Sequence, residues 1–344
     1  MTPRFLTSEL PLIAAPMAGG ATTVQFAAAA ATAGAFPFLA GGYKTAEGMG
    51  AEIAELRADG AAFGVNLFVP DRADPGSADG DAAAFAAYAR ELADEAATYG
   101  ITLDPIPRDD DGWPAKLALL CADPVEVVSL TFGLPAAGDI AVLRRAGSAV
   151  LATVTTAGEA RAADEAGVDG LIVQGPRAGG HSATWDPRRE VGDAATSETL
   201  AAVRSVTRLP LVAAGGVDGP GSVRTLLDGG AAAVAVGTLL LRTDEAGTSA
   251  THRAALASDA FVGTAITRVF TGRPARGLRN GFIDRHAPHE ITAYPAVHHL
   301  TRELRTAAGA AGDADRLHLW AGTGYRSAKA EPVARTLERL ASGL

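Results

Sequence analysis

The run Gln174-Gly175-Pro176-Arg177-Ala178-Gly179-Gly180-His181 places a titratable imidazole beside paired glycines, directly after the apolar segment Gly170-Leu171-Ile172-Val173. Glycine lets the backbone approach a bound ring or phosphate. A histidine held there can move protons near neutral pH; the alternative is a loop histidine that only satisfies a hydrogen bond. A second constellation is Ala213-Ala214-Gly215-Gly216-Val217-Asp218-Gly219-Pro220-Gly221-Ser222, which opens a helix, together with Ala235-Val236-Gly237-Thr238. Backbone N–H groups at such strand ends, beside a helix N-terminus, suit a ligand phosphate. The alternative is that these glycines only tighten turns. Asn66 and Gln174 also fall at strand ends, and carboxamides both donate and accept, so they can match a polar ring edge or satisfy local backbone.

The elements that must position these residues follow from a recurring phrase in which a helix-like segment ends in glycine and an apolar, β-branched run follows. Gly34 precedes Ala35 to Leu39, Gly60 precedes Phe63 to Phe68, Gly147 precedes Ala149 to Val154, Gly167 precedes Leu171 to Val173, and Gly230 precedes Val234 to Val236. Each reads as helix, left-handed cap, strand. Strands at Leu12 to Ala18, Val125 to Phe132 and Leu211 to Ala214 bring the total to eight. Their continuously apolar character is that of parallel strands covered by helices, and the intervening segments Gln25 to Thr32, Ala83 to Ala97, Glu159 to Glu165 and Ser197 to Val206 are alanine-rich. The pattern predicts a (β/α)8 TIM barrel over residues 1–260, followed by a mainly helical C-terminal cap over 261–344 with helices at Pro295 to Ala308 and Pro332 to Leu340. An open doubly wound sheet would need Gly-x-Gly-x-x-Gly after its first strand, where this chain has Pro16-Met17-Ala18-Gly19-Gly20. The segments Asp71 to Gly80 and Asp104 to Gly112 read as loops, and the Asp109 to Asp111 run as solvated rather than cation-binding.

Of 344 residues, 48% are apolar, and the net charge of −9 with a pI near 5.3 argues against nucleic-acid or anionic-membrane surfaces. The single cysteine, Cys121, excludes an internal disulfide and fits a reducing cytoplasm; in Leu119-Leu120-Cys121-Ala122 it reads as a helix-end core residue. The opening Met1-Thr2-Pro3-Arg4-Phe5 lacks the apolar stretch of an export signal, and no segment has the length of a membrane span.

Taken together, Ala15-Pro16-Met17-Ala18-Gly19-Gly20, Gly64-Val65-Asn66-Leu67-Phe68, Val128 to Pro135, Gln174 with Ala178 to His181, Ala214-Gly215-Gly216, Gly237-Thr238, Thr271 to Asn280, Ala293-Tyr294-Pro295 and Leu319-Trp320-Ala321-Gly322 resemble the bacterial class I nitronate monooxygenases, formerly called 2-nitropropane dioxygenases. The likeness spans nearly the whole chain, and its weight comes from the number and order of the motifs. It implies an FMN-containing TIM barrel that oxidises alkyl nitronates, of which propionate 3-nitronate is the usual one, with O2. It further implies that Met17, Asn66, Gln174, Gly179, Gly180, Gly215, Gly216 and the run Ala235, Val236, Gly237, Thr238 surround FMN, and that His181 is the base.

The chain departs from the family where relatives usually read Glu-Ala-Gly-Gly-His-Arg-Gly, since here the residues are Arg177-Ala178-Gly179-Gly180-His181-Ser182-Ala183. A cation at Arg177 would lower a nearby histidine's pKa, or attract an anionic substrate. Arg273, Arg276 and Arg279 read as turn-pinning residues, with anion binding as the alternative. His286, His289, His298 and His299 lack the spacing of a zinc site. Tyr294 and Lys329 are tail residues with the reach to meet the mouth. Two other functions fit the same barrel: an NAD(P)H-dependent flavin reductase of the enoyl-acyl-carrier or quinone reductase type, and a flavin-binding barrel without nitronate chemistry. A monomer or homodimer acting on small molecules is expected in each case.

Overall fold

The computed structural model describes residues 8–70, 78–103 and 109–344. The expected loops at Asp71 to Gly80 and Asp104 to Gly112, and the N-terminal pentapeptide, lie wholly or largely outside the described residues. Where the first loop can be seen it is shorter than expected, because a helix begins at Ala78 and runs to Glu91, followed by a second at Ala93–Ala97.

The strands are β1 (Leu12–Ala14), β2 (Phe36–Ala40), β3 (Gly64–Phe68), β4 (Val127–Thr131), β5 (Ala149–Val154), β6 (Gly170–Gln174), β7 (Gly180–His181), β8 (Leu211–Ala214), β9 (Ala233–Val236), β10 (Thr264–Thr267) and β11 (Ala275–Leu278). Eight of them close a parallel barrel in the order β1-β2-β3-β4-β5-β6-β8-β9, sealed by Ile13 opposite Ala235. Between successive barrel strands run helices, which makes this the (β/α)8 architecture the apolar runs and glycine stops predict. Gly34, Gly60, Gly147, Gly167 and Gly230 all have positive φ, so the repeated stop is a left-handed cap each time. Helix starts are equally local: Thr23, Thr45 and Thr156 each accept from the N–H three residues on, worth about 1 kcal/mol per cap.

Residues pointing inward along the strands, including Ile13, Phe36, Phe38, Val127, Leu151, Ile172 and Val212, fill the barrel interior. Their outward neighbours, such as Leu12, Val65, Val128, Val150, Leu171 and Leu211, pack beneath the helices. Cys121 joins this outer layer at the end of helix Trp113–Ala122.

Three expectations need correction. β1 stops at Ala14 rather than Ala18, because Pro16 has no N–H to continue the ladder. The region after residue 260 is not only turns and helices: β10 and β11 pair antiparallel, and β11 then takes up β7 with Ala275 opposite His181. The histidine loop is therefore the edge of a small second sheet. The Asp109 to Asp111 run is not all solvated, since Asp111 accepts from Tyr43 N–H at 2.8 Å and meets Lys116 Nζ at 2.7 Å, a lysine only 1% exposed. Further along, helix Ala296–Ala310 packs on the segment around Phe270 and Phe282, while helix Val333–Ala341 returns to the outer wall against Val24–Thr32 and Pro220–Asp228.

Candidate active site

The C-terminal ends of the barrel strands open into one cavity of about 630 Å³. Its wall includes Met17, Asn66, Gln174, Gly179, Gly180, His181, Gly215, Gly216, Ala235, Val236, Gly237 and Thr238, so the residues that the resemblance places around the flavin, and His181, line one cavity. In (β/α)8 barrels this rim is where catalytic groups from different strands converge.

Each of these residues is fixed by its local chemistry. Asn66 Nδ2 donates to Ser129 Oγ and Thr131 Oγ1, both at 2.9 Å, and its carbonyl oxygen has no partner among the described residues. Gln174 spans the histidine loop: its Nε2 donates to the His181 carbonyl at 3.1 Å and its Oε1 accepts from Ala183 N–H at 2.8 Å. Both ends of that carboxamide thus hold the loop. Gly179 is required by close approach, since a Cβ there would lie 2.4 Å from Gly322 N. In the two glycine loops the N–H groups of Gly216 and Gly237 donate to nothing among the described residues, so two backbone donors are left for an anion. Thr238 Oγ1 accepts from Gly322 N–H at 2.9 Å, tying the tail to the barrel rim.

His181 is the titratable centre. Its Nε2 lies 3.0 Å from Thr271 Oγ1, and that hydroxyl in turn donates to the Arg273 carbonyl at 3.2 Å. With its proton committed, the hydroxyl accepts, so Nε2 carries the imidazole hydrogen and Nδ1 keeps the lone pair. Nδ1 has no partner within the described protein. Phe132, Tyr294 and Trp320 surround the ring at centroid distances of 5.6, 5.7 and 5.7 Å. Burial first, then the charges of Arg273 and Arg305, push the imidazole pKa down to about 3. His181 is therefore neutral at physiological pH, with a ring lone pair unprotonated.

Arg177 is not one of the groups acting on His181. Its guanidinium is 41% exposed, donates to the Asp193 carbonyl and faces the Asp193 carboxylate at 3.7 Å, outside the cavity. The neighbouring cation is Arg273 instead, fully buried over the Phe132 ring at 4.0 Å. Arg276 caps the Pro176 carbonyl and Arg279 pairs with Asp284, both as turn-pinning residues. Lys329 does not reach the cavity wall, whereas Tyr294 stands beside His181. His286 pairs with Glu95 at 3.0 Å, and His298 stacks on Tyr43 at 4.1 Å.

Several wall residues escape a strand-end reading because they arrive from outside it. Tyr43, in the left-handed region at φ 64°, follows β2; His252 comes from helix Ala250–Ala257; Arg305 comes from helix Ala296–Ala310; His318 and Trp320 come from the extended tail. Arg305 does carry a signal: in Val297, Leu300, Thr301, Leu304, Arg305, Ala308 it is a charge at an apolar-face position.

A closed parallel barrel with a buried neutral imidazole and open amides at its C-terminal rim defines a (β/α)8-barrel enzyme. Residues 4–343 match the family model described as nitronate monooxygenase, and the chain belongs to that family of flavin oxidoreductases. It is 37% identical to a nitronate monooxygenase of Pseudomonas aeruginosa, across 100% of this chain and 99% of that protein. Among solved structures, a nitroalkane oxidase from Streptomyces ansochromogenes superposes with a TM-score of 0.91 at 47% identity, covering 97% of this chain and 95% of the other. FabK from Thermotoga maritima, at 22% identity and a TM-score of 0.73 over 99% and 94% of the two chains, shares the fold. Oxidation of nitronates or nitroalkanes is therefore the class of reaction. No helix among the described residues is long and apolar enough to cross a membrane.

Proposed function

We propose that this chain is a cytoplasmic FMN-dependent monooxygenase, monomeric or homodimeric, that oxidises alkyl nitronates of the propionate 3-nitronate type, and nitroalkanes, with O2. The observation that carries the reading is a neutral imidazole in the cavity wall whose Nδ1 is free to take a proton. FMN would be held by Met17, Asn66, Gln174, Gly179, Gly180, Gly215, Gly216 and the run Ala235 to Thr238, its phosphate at the Gly216 and Gly237 amides. Residues 1–260 would form this barrel and 261–344 a cap over its mouth. One-electron acceptance from the nitronate, and return of electrons to O2, is the chemistry the bound flavin supplies.

The protein's own part is proton transfer and charge placement. A nitro group acidifies the adjacent C–H, and His181 Nδ1 accepts that proton while Thr271 holds Nε2–H. Because burial disfavours imidazolium, the proton stays on His181 only while the nitronate anion lies against it. The Gly179 and Gly180 backbone and the surrounding cations favour that anion. Preformed nitronates need no such step.

Replacing His181 by Asn should abolish turnover of neutral nitroalkanes and spare much of the activity on preformed nitronates, measured by O2 uptake. Equal loss on both would remove the base role. Anaerobic addition of propionate 3-nitronate should bleach the visible flavin spectrum without NADH; a colourless preparation that takes up no FMN would defeat the proposal. The resemblance to the nitroalkane oxidase at 47% identity favours this reading over the NAD(P)H-dependent one.

A further inference from the structure

Helix Ala296–Ala310 buries a cation for which the described residues supply no counter-charge. Arg305 is 6% exposed, on the same face as Val297, Leu300, Leu304 and Ala308. Its Nε donates to Thr301 Oγ1 at 3.0 Å, and Nη2 donates to the His298 carbonyl at 2.8 Å and lies 3.2 Å from His298 Nδ1. Thr301 is itself anchored on the Phe270 carbonyl at 2.5 Å, so the guanidinium plane is fixed. Among the described residues no carboxylate pairs with it, and Nη1 donates to nothing. The charged or titratable groups acting on it are Tyr43, Arg302 and Tyr294, two neutral phenols and another cation.

A buried guanidinium without an anion is costly unless a ligand brings one. Arg305 belongs to the same cavity wall as His181, and its charge acts on that imidazole. A chain of net charge −9 thus presents a buried guanidinium, Arg305, to this cavity. His252 and His318 share that wall, and His252 Nε2 and His318 Nδ1 have no hydrogen-bond partner among the described residues.

We propose that Arg305 determines specificity: through its open Nη1 edge it takes a carboxylate carried by the substrate, while the nitronate end lies at His181. The assignment rests on the nitronate reading above for the identity of both groups, and what it adds is the residue that holds the carboxylate. Carboxylate geometry matches the guanidinium edge, and the interaction is made in a site walled by aromatic rings.

The test compares propionate 3-nitronate with propyl-1-nitronate, in which a methyl group replaces the carboxylate, on the flavin-loaded enzyme and its Arg305→Met and Arg305→Lys variants. Equilibrium dialysis of succinate, an unreactive dianion of similar span, supplies a second readout. For Arg305→Met the preference for the carboxylated nitronate should fall about 30-fold or more, chiefly through KM, and succinate affinity should fall comparably. Arg305→Lys, which keeps the charge, should fall between, and it serves as the deciding variant if Arg305→Met does not fold. Equal losses on both nitronates with succinate binding intact would overturn the assignment, as would a wild-type enzyme that does not bind succinate. If the wild type oxidises neither nitronate yet succinate binding depends on Arg305, the anchor stands and the nitronate reading falls.

Discussion

His181 owes its tautomer to Thr271, whose hydroxyl spends its own hydrogen on the Arg273 carbonyl. Replacing Thr271 by Val leaves the Nε2–H without an acceptor in a buried site, a cost of about 1–3 kcal/mol. Nitroalkane turnover should fall about 10-fold or more, with a smaller loss on preformed nitronates; equal rates for variant and wild type would show that Nε2–H is held some other way. The low pKa sets the pH profile too. With the folded value near 3, His181 is neutral from about pH 5 to about pH 8, so kcat/KM for a nitroalkane should stay flat where an ordinary histidine would lose activity below about pH 6.5. An acid limb near that pH would contradict the burial argument. At this scale the sequence exposes His181, Asn66 and Gln174 through their strand-end spacing. It hides Tyr43, His252, His318 and Trp320, which reach the cavity from the end of β2, a later helix and the tail, because spacing along one chain cannot show which surfaces meet.

Elements carry the site through close contacts rather than through many bonds. Gly179 lets the histidine loop lie against Ala321 and Gly322 of the tail, and Gly179→Ala should lower stability by about 2 kcal/mol or more, seen as a lower melting temperature together with weaker flavin retention. A variant as stable as wild type would mean the tail yields easily. Lys116, in helix Trp113–Ala122, pairs with Asp111, which in turn holds the Tyr43 amide. Lys116→Met leaves a partly buried carboxylate unpaired and should cost about 3 kcal/mol by denaturant titration. The barrel strands are legible because burial on both sides demands uninterrupted apolar runs and five of the preceding helices stop at a left-handed glycine, Gly34, Gly60, Gly147, Gly167 and Gly230. β7, β10 and β11 are not, since short, polar, glycine-rich strands such as Ala275-Arg276-Gly277-Leu278 have no periodicity to detect.

Across the whole molecule, burial gathers neutral imidazoles at the barrel mouth. His181 and His252 are pushed down to about 3 and about 4, and His298 and His318 well below the ordinary range, with burial as the first cause in each. Unfolded, these rings take up protons below about pH 6.5; folded, they do not. Stability is therefore complete above that pH and is lost as pH falls toward the folded values, by up to about 1.4 kcal/mol per pH unit for each histidine. The denaturation midpoint should drop between about pH 7 and about pH 5, before the ion-paired Glu95 and Asp313, whose pKa values are lowered, begin to protonate. A midpoint independent of pH over that interval would contradict the neutral cluster. The two-residue pairing of β7 with β11 has a consequence of another kind. Gentle heating should loosen the ribbon that carries His181 while the great cylinder beneath it remains intact, so lost turnover should precede any change in circular dichroism.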